Sequence, residues 1–333
     1  MALDERNINA LTEVAGVSAQ EAQLAMLLMP HAARRQASVL LNNSRFVHYT
    51  SAETAVSILR NKEIWLRKVA CMNDLSEVQY GLARIYDACS PQKFQGRLKA
   101  ALSKIDDSVV GQLEKLWGGW QPHLFSDSYV FCLSEHDGAE DILGRLSMWR
   151  AYGRSCGVAL VTNAQFARAS AELGAYTSPV AYFTEAEFLV AFEELVSNLE
   201  NNIDFLRSVT IERLVGALFN TFRFAALGTK HPAFKEEREW RVIHSPQMDG
   251  ARYVVKDVAV IGGVPQPICK IPLTKIPEVG LDADIPSILE RIVIGPTQYP
   301  LAVWEAFVEL LKQAGVANPE QKVFSSNVPL RAV

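Results

Sequence analysis

Residues 234–243 read "FKEEREWRVI", a charged cluster that runs straight into Val242 and Ile243. Glu is scarce in strands because its flexible chain packs badly on a pleated surface. The run nevertheless reads as a strand, and its position decides the fold class. It follows a long helical stretch from Glu185 to about Ala226, which reads as a helical hairpin entered through a Thr184–Glu187 capping box. It precedes two further strand candidates, "RYVVK" (252–256) and "PICKIPL" (267–273). Helices and strands are therefore mixed without a regular βαβ rhythm, which predicts an α+β fold.

Working outward, "RFVHYT" (45–50), "EIWL" (63–66), "YVFCLS" (129–134), "GVALVT" (157–162), "PVAYF" (179–183) and "RIVIGP" (291–296) read as strands. Residues 1–41 read as helical, with Ser18 and Glu21 spaced as a capping box. Thr50 and Glu53 repeat that spacing ahead of a helix with Ala55, Ile58 and Leu59 on one face. "DILGRLSMWRAYG" (141–153) and "LAVWEAFVELLKQAG" (301–315) read as helices, the second stopped by Gly315. The expected organisation is an N-terminal helical segment, 1–41, and a single α+β domain over 42–333. That domain carries a helical insertion near 185–226.

The composition is that of an ordinary globular protein, 49% hydrophobic and 21% charged over 333 residues. A formal charge of -4 argues against a surface built wholly as a nucleic-acid footprint. Cys71, Cys89, Cys132, Cys156 and Cys269 form no C-x-x-C pair, which favours a reducing compartment over a disulfide scaffold or zinc knuckle. The opening "MALDERNINALTEV" has no apolar secretory core, and no apolar run approaches the about 18 residues of a membrane helix. The expectation is a soluble, cytoplasmic protein with no membrane partner. No phosphate-binding glycine loop and no strong metal-ligand constellation occurs.

Three clusters carry candidate chemistry: "HYTS" (48–51), "SMWRAYG" (147–153) and "EEREWR" (236–241). If 237–243 is a strand, Glu237, Glu239 and Arg241 share one face, with the two carboxylates about 7 Å apart. Such a pair suits gripping sugar hydroxyls or stabilising positive charge on a sugar. An edge strand braced by Glu–Arg pairs explains the same residues. His48 and Thr50 share a strand face by the same alternation. Trp149 and Tyr152 share a helix face that continues the stripe Ile142–Leu146, which reads either as core or as a stacking platform. Ser134 at a strand end, Asn73 and Asp74 in a turn, and Lys230 with His231 before the Glu strand are lesser candidates.

The order of "HYTSAETAVSILRNKEIWL", "MND" with Glu77, "FCLSE", "MWRAYG", "EEREWR", "RIVIGP" and "SSNVPLR" resembles a widespread bacterial domain-of-unknown-function family, number 2971. The resemblance runs from about Arg45 to Arg331, and such proteins are thought of as accessory or defence-associated. The same pattern is more distantly similar to mono-ADP-ribosyltransferases, which implies an ADP-ribosyltransferase-like mixed or antiparallel sheet core. The resemblance implies that His48 and Thr50 match an H-x-T that contacts the adenosine ribose, and that Tyr152, buttressed by Trp149, stacks on nicotinamide. Ser134 joins them in the NAD site. Glu239 would hold the nicotinamide ribose and oppose the charge that develops as nicotinamide leaves, with Glu237 completing E-x-E and orienting the acceptor. The early Arg or S-T-S motif of that branch is not evident, and Arg45 is its nearest stand-in.

Two functions are expected from these readings. The first is an NAD-dependent ADP-ribosyltransferase or NAD glycohydrolase, a toxin or anti-phage effector, using NAD as substrate, no metal, and a protein or nucleic-acid acceptor. The second is a non-catalytic ligand-sensing or protein-interaction module of a bacterial defence system, in which the Glu–Arg pairs merely brace a strand.

Overall fold

Valine, isoleucine and aromatic residues concentrate in short runs that form strands. A computed structural model describes residues 5–13, 17–72, 75–153, 155–165, 173–250, 252–326 and 328–329. Asn73 and Asp74, together with Asn327 and Leu330–Arg331 of the last motif, lie outside the described residues. In chain order the strands are β1 (Arg45–Ser51), β2 (Glu63–Lys68), β3 (Tyr129–His136), β4 (Gly157–Thr162), β5 (Tyr176–Pro179), β6 (Ala181–Tyr182) and β7 (Thr229–Lys230). They continue as β8 (Glu239–His244), β9 (Val255–Ile261), β10 (Val264–Pro272), β11 (Lys275–Ile276), β12 (Leu281–Asp282), β13 (Leu289–Ile294) and β14 (Val323–Ser325). The mixed α+β class stands.

One sheet dominates, in the order β14–β13–β4–β1–β3–β2–β10–β9, with β8 paired to β3 and to β5. All pairs along that path are antiparallel except β13 with β14. The strand β3 is the branching element. Its C-terminal half pairs with β1 and its first residues with β2, while β8 runs along β3 from Tyr129 to Ser134. Every residue of β4 and of β8 is buried, as expected of strands covered on both faces.

The chain divides into two compact units, each assembled from three segments. One is Met1–Leu41, Val69–Ser128 and Ser178–Lys235, and it is almost wholly helical. The other is Asn42–Lys68, Tyr129–Thr177 and Glu236–Val333, and it holds most of the large sheet.

In the helical unit the capping boxes read from sequence form as expected. Ser18 accepts from the Glu21 N–H and Thr184 from the Glu187 N–H, with each Glu reaching back to its cap. Edge-to-face packing of Trp120 on Phe219, with centroids 5.3 Å apart, anchors the core between helices Ser108–Trp120 and Ile211–Gly228. The buried Lys230 ammonium lies 2.7 Å from Glu77.

In the sheet unit the expected Thr50 cap moves by one residue. Strand β1 extends through Ser51, whose side chain accepts from the Thr54 N–H and opens the helix Ala52–Asn61. The segment 141–153 is helical only over Leu146–Tyr152, so the apolar stripe Ile142–Leu146 is not one helix face, and its large side chains are exposed. At the far end, Gly315 takes the left-handed conformation (φ +82°) expected of a helix stop.

Candidate functional site

The register of β1, β3 and β8 decides which candidate side chains meet. Directly opposed residues of an antiparallel pair project from the same face. Val47 pairs with Ser134, and Ser134 pairs with Glu239. Ser134, Glu239 and Arg241 therefore share a face with Val47 and Tyr49. His48 and Thr50, one residue out of phase, occupy the opposite face with Phe46, Phe131 and Trp240. The edge-to-face contact of Phe46 with Trp240, at 5.3 Å, places those two rings on that second face. The expected convergence of His48 and Thr50 with Glu239 is thus corrected. A one-residue phase difference along a strand is a change of face.

The E-x-E pair is corrected as well. Pro232–Glu237 is a 3-10 turn and β8 begins only at Glu239. Between them Arg238 adopts a left-handed backbone (φ +45°), which breaks the extended alternation the pairing required. Glu239 is 6% exposed and meets the Arg241 guanidinium at 2.7 Å. Ser134 donates its hydroxyl hydrogen to the Glu237 carbonyl, so it stabilises the turn that precedes the strand.

His48 sits in an apolar setting. Its Nδ1 lies 2.9 Å from the Cys132 carbonyl, so Nδ1 carries the proton. Burial lowers its pKa to about 4, the hydrogen bond only partly opposing that. The ring lines a cavity of about 30 Å³ with Ile58, Leu59, Phe131, Leu160 and Ile288. That volume holds a water molecule, not a cofactor, whose sites run to about 300–1,000 Å³.

Trp149 is core. Its ring packs edge-to-face on Tyr49 at 4.9 Å, and its Nε1 donates to the Leu143 carbonyl at 2.8 Å. Gly144, Gly157 and Gly295 crowd the indole so closely that a Cβ at Gly295 would lie 2.8 Å from it. Tyr152, three residues on, is 39% exposed at the helix end.

The segment between β3 and the helix Leu146–Tyr152 is densely hydrogen-bonded. Asp137 caps the turn Gly138–Glu140 in a further capping box. Arg145 is buried and uses all five guanidinium donors. Its Nε and one Nη2 hydrogen reach Glu140, both at 3.1 Å. The remaining donors reach the carbonyls of Glu135 at 3.0 Å, Glu236 at 2.8 Å and Glu237 at 3.2 Å. Its backbone N–H donates to the Tyr49 hydroxyl at 2.9 Å, and burial pushes the Tyr49 pKa up to about 12. Glu140 also binds Arg238, and His136 Nε2 lies 2.8 Å from Asp141, which in turn meets Arg45 at 2.9 Å. Burial lowers the His136 pKa against the pull of Asp141.

In front of this network lies an open cleft of about 560 Å³. Its walls present donors from Arg45, Arg238, Asn42 and Asn43, acceptors from Glu135, Asp137 and Glu290, and the Ser44 hydroxyl. Arg45 and Arg238 are held from behind by Asp141 and Glu140, so their donors are set before any ligand arrives. Arg45, read only as a stand-in for a family arginine, proves to be part of this wall. The spacing D-x-x-E at 137–140 was the one local signal for it.

Among the described residues no group of three or more His, Cys, Asp or Glu is placed to hold a metal ion, and no helix is long and apolar enough to cross a membrane. A family model described as a protein of unknown function (DUF2971) matches residues 148–242. The match supports the resemblance to that domain-of-unknown-function family over less than a third of the chain. It includes Trp149, Tyr152, Glu237 and Glu239 and stops short of His48, Thr50 and Ser134. No curated protein and no solved structure matches the chain.

Proposed function

We propose that the protein is a ligand-sensing module whose site is the polar cleft walled by Asn42–Arg45, Glu135–Gly138, Arg238 and Glu290, and whose ligand is a neutral polyhydroxylated molecule such as a sugar or nucleoside. The observation that carries this is the pinning of Arg45 and Arg238 by the half-buried Asp141 and Glu140, in a cleft of ligand size. Three carboxylates against two guanidinium groups leave the wall with a slight acidic excess, which disfavours a polyanion. A hydroxyl, which both donates and accepts, satisfies carboxylate and guanidinium neighbours together. Isothermal titration with ribose, glucose and adenosine tests this. Binding by one of them, weakened about tenfold by Arg238→Ala through loss of a charge-assisted hydrogen bond, is expected. No heat from any of the three would overturn it.

A second reading, glycosyl transfer from NAD on an ADP-ribosyltransferase-like sheet, as in a toxin or anti-phage defence effector, keeps one supporting observation. Glu239 is a buried carboxylate aligned across β3 with Ser134. On this reading NAD approaches the Glu239 face without His48, and a protein or nucleic-acid acceptor follows. Release of nicotinamide from NAD, abolished in Glu239→Gln with the fold intact, is its signature; unchanged NAD after long incubation counts against it. Both readings place the protein in the cytoplasm, where the five free thiols would stay reduced.

A further inference from the structure

The sheet ends at β9, an edge whose charged residues, Lys256 and Asp257, lie in its first half and leave Val258–Ile261 apolar. Among the described residues β9 pairs only with β10, so its outer row of backbone groups has no strand partner, although the Val258 N–H donates to the Asp257 carboxylate at 2.8 Å. Proteins commonly blunt such an edge with charge, proline, a bulge or brevity. Here the strand runs seven residues, "VKDVAVI", in unbroken register with β10. The turn at Gly262 and Gly263 has both residues left-handed (φ +60° and +81°), the tight hairpin geometry that fixes the register. Val258 and Val260 project from one face at 66% and 68% exposure. On that face they stand opposite the exposed Pro267 and Pro265 of β10.

We propose that β9 docks against the β9 of a second copy of this chain, antiparallel about a two-fold axis at Ala259. An outer backbone row without a strand partner calls for an extended strand, and of the self-pairings of β9 one sets both exposed valines opposite valines. An axis at Lys256 or Asp257 would set like charges directly opposite each other, which is destabilising. An axis at Val258 would put each Lys256 across from a valine. With the axis at Ala259, Val258 faces the partner's Val260 and Val260 faces the partner's Val258. Asp257 then faces the partner's Ile261, and no like charges are opposed. The exposed valines of both copies join the prolines of both β10 strands in one apolar strip across the junction. The contact is one strand wide, below the about 1,200–2,000 Å² of a stable standard interface, so the dimer is weak and concentration-dependent.

Sedimentation velocity on the full chain across the micromolar range tests this. A reversible monomer–dimer equilibrium is expected, weakened at least about tenfold in Val258→Lys/Val260→Lys, whose substituted side chains already stand in solvent and leave the circular dichroism spectrum unchanged. A second variant reads the register. Directly opposed residues lie about 4.5–5.5 Å apart between Cα atoms, within disulfide reach, so Ala259→Cys is expected to cross-link to a covalent dimer under mild oxidation. The native chain and Asp257→Cys serve as controls that do not. A monomer at every concentration, a dimer indifferent to the two lysines, or Ala259→Cys cross-linking no faster than Asp257→Cys would each overturn the proposal. So would a chain that stays monomeric and binds an unrelated extended peptide along β9.

Discussion

Arg145 shows how much one side chain holds at this site. Its five donors tie the end of β3, the turn Gly138–Glu140 and the turn before β8 into one piece. Lysine in its place offers a point charge and three donors on a flexible stem, so buried carbonyls and a Glu140 oxygen lose their partners. Arg145→Lys is expected to lower stability by about 3 kcal/mol in urea denaturation, near the cost of breaking a buried charge pair. It should also weaken ligand binding in the cleft, since Arg238 shares Glu140 with it. His48 supplies a pH test. Its pKa falls to about 4 in the folded chain, below the about 6.5 of an unfolded histidine. The unfolded state therefore binds the extra proton between these values, and stability present above pH about 6.5 is lost as pH falls toward about 4. About 3 kcal/mol is at stake from this group, and the half-buried His31 and the buried His136 shift in the same direction. Urea midpoints measured over that window should fall with pH, and His48→Gln should flatten the slope; a flat native profile would contradict it.

Among the elements, those legible in the sequence carry their signal locally. Ser18 with Glu21 and Thr184 with Glu187 announce helix starts, and "GVALVT" announces a strand buried throughout. The site was less legible because it depends on pairing between distant segments. Nothing near His48 or Glu239 in sequence says that Val47, and not His48, stands in the row of Ser134 and Glu239. The left-handed Arg238 likewise has no local cue, since its conformation is held by Glu135, whose N–H donates to the Arg238 carbonyl at 2.9 Å, and by Glu140. The helix Leu146–Tyr152 is shorter than its sequence suggests for a related reason: the exposed Ile142 and Leu143 mimic a periodic stripe, while Trp149 is wedged among Gly144, Gly157 and the distant Gly295. That wedge makes its own prediction. Gly295→Ala places a methyl 2.8 Å from the indole and should cost about 1–3 kcal/mol by overpacking, seen as a lower melting temperature and altered tryptophan fluorescence. Gly111→Ala, in a helix where a Cβ meets nothing within 4 Å, is the control and should be neutral or stabilising.

At the scale of the whole chain, neither unit is a continuous piece of sequence. The backbone passes between them after Leu41, Lys68, Ser128, Thr177 and Lys235. Sequence patterns could show 1–41 as helical but not where its apolar residues go. Those residues form a shared core of Ala10, Leu11, Ala22, Met26, Ala33, Ala37 and Leu40. The segment is also tied to the rest of the helical unit, through Asn198 donating to the Leu27 carbonyl at 3.0 Å and Arg213 meeting Glu21 at 2.7 Å. Leu27 and Leu28 are each 1% exposed, so removing the segment would strip cover from the helices Glu185–Asn201 and Ile211–Gly228. A chain starting at Asn42 is therefore expected to lose several kcal/mol, roughly the cost of two or three large core truncations. The loss should concentrate in the helical unit. Hydrogen exchange in 185–228 should accelerate markedly, while β4, whose cover comes from Trp149, Tyr49 and Val293 of its own unit, should keep its protection. Equal acceleration in both would mean that the chain unfolds as one cooperative body despite its two cores, and exchange in 185–228 unchanged by the deletion would show that the N-terminal helices are dispensable cover.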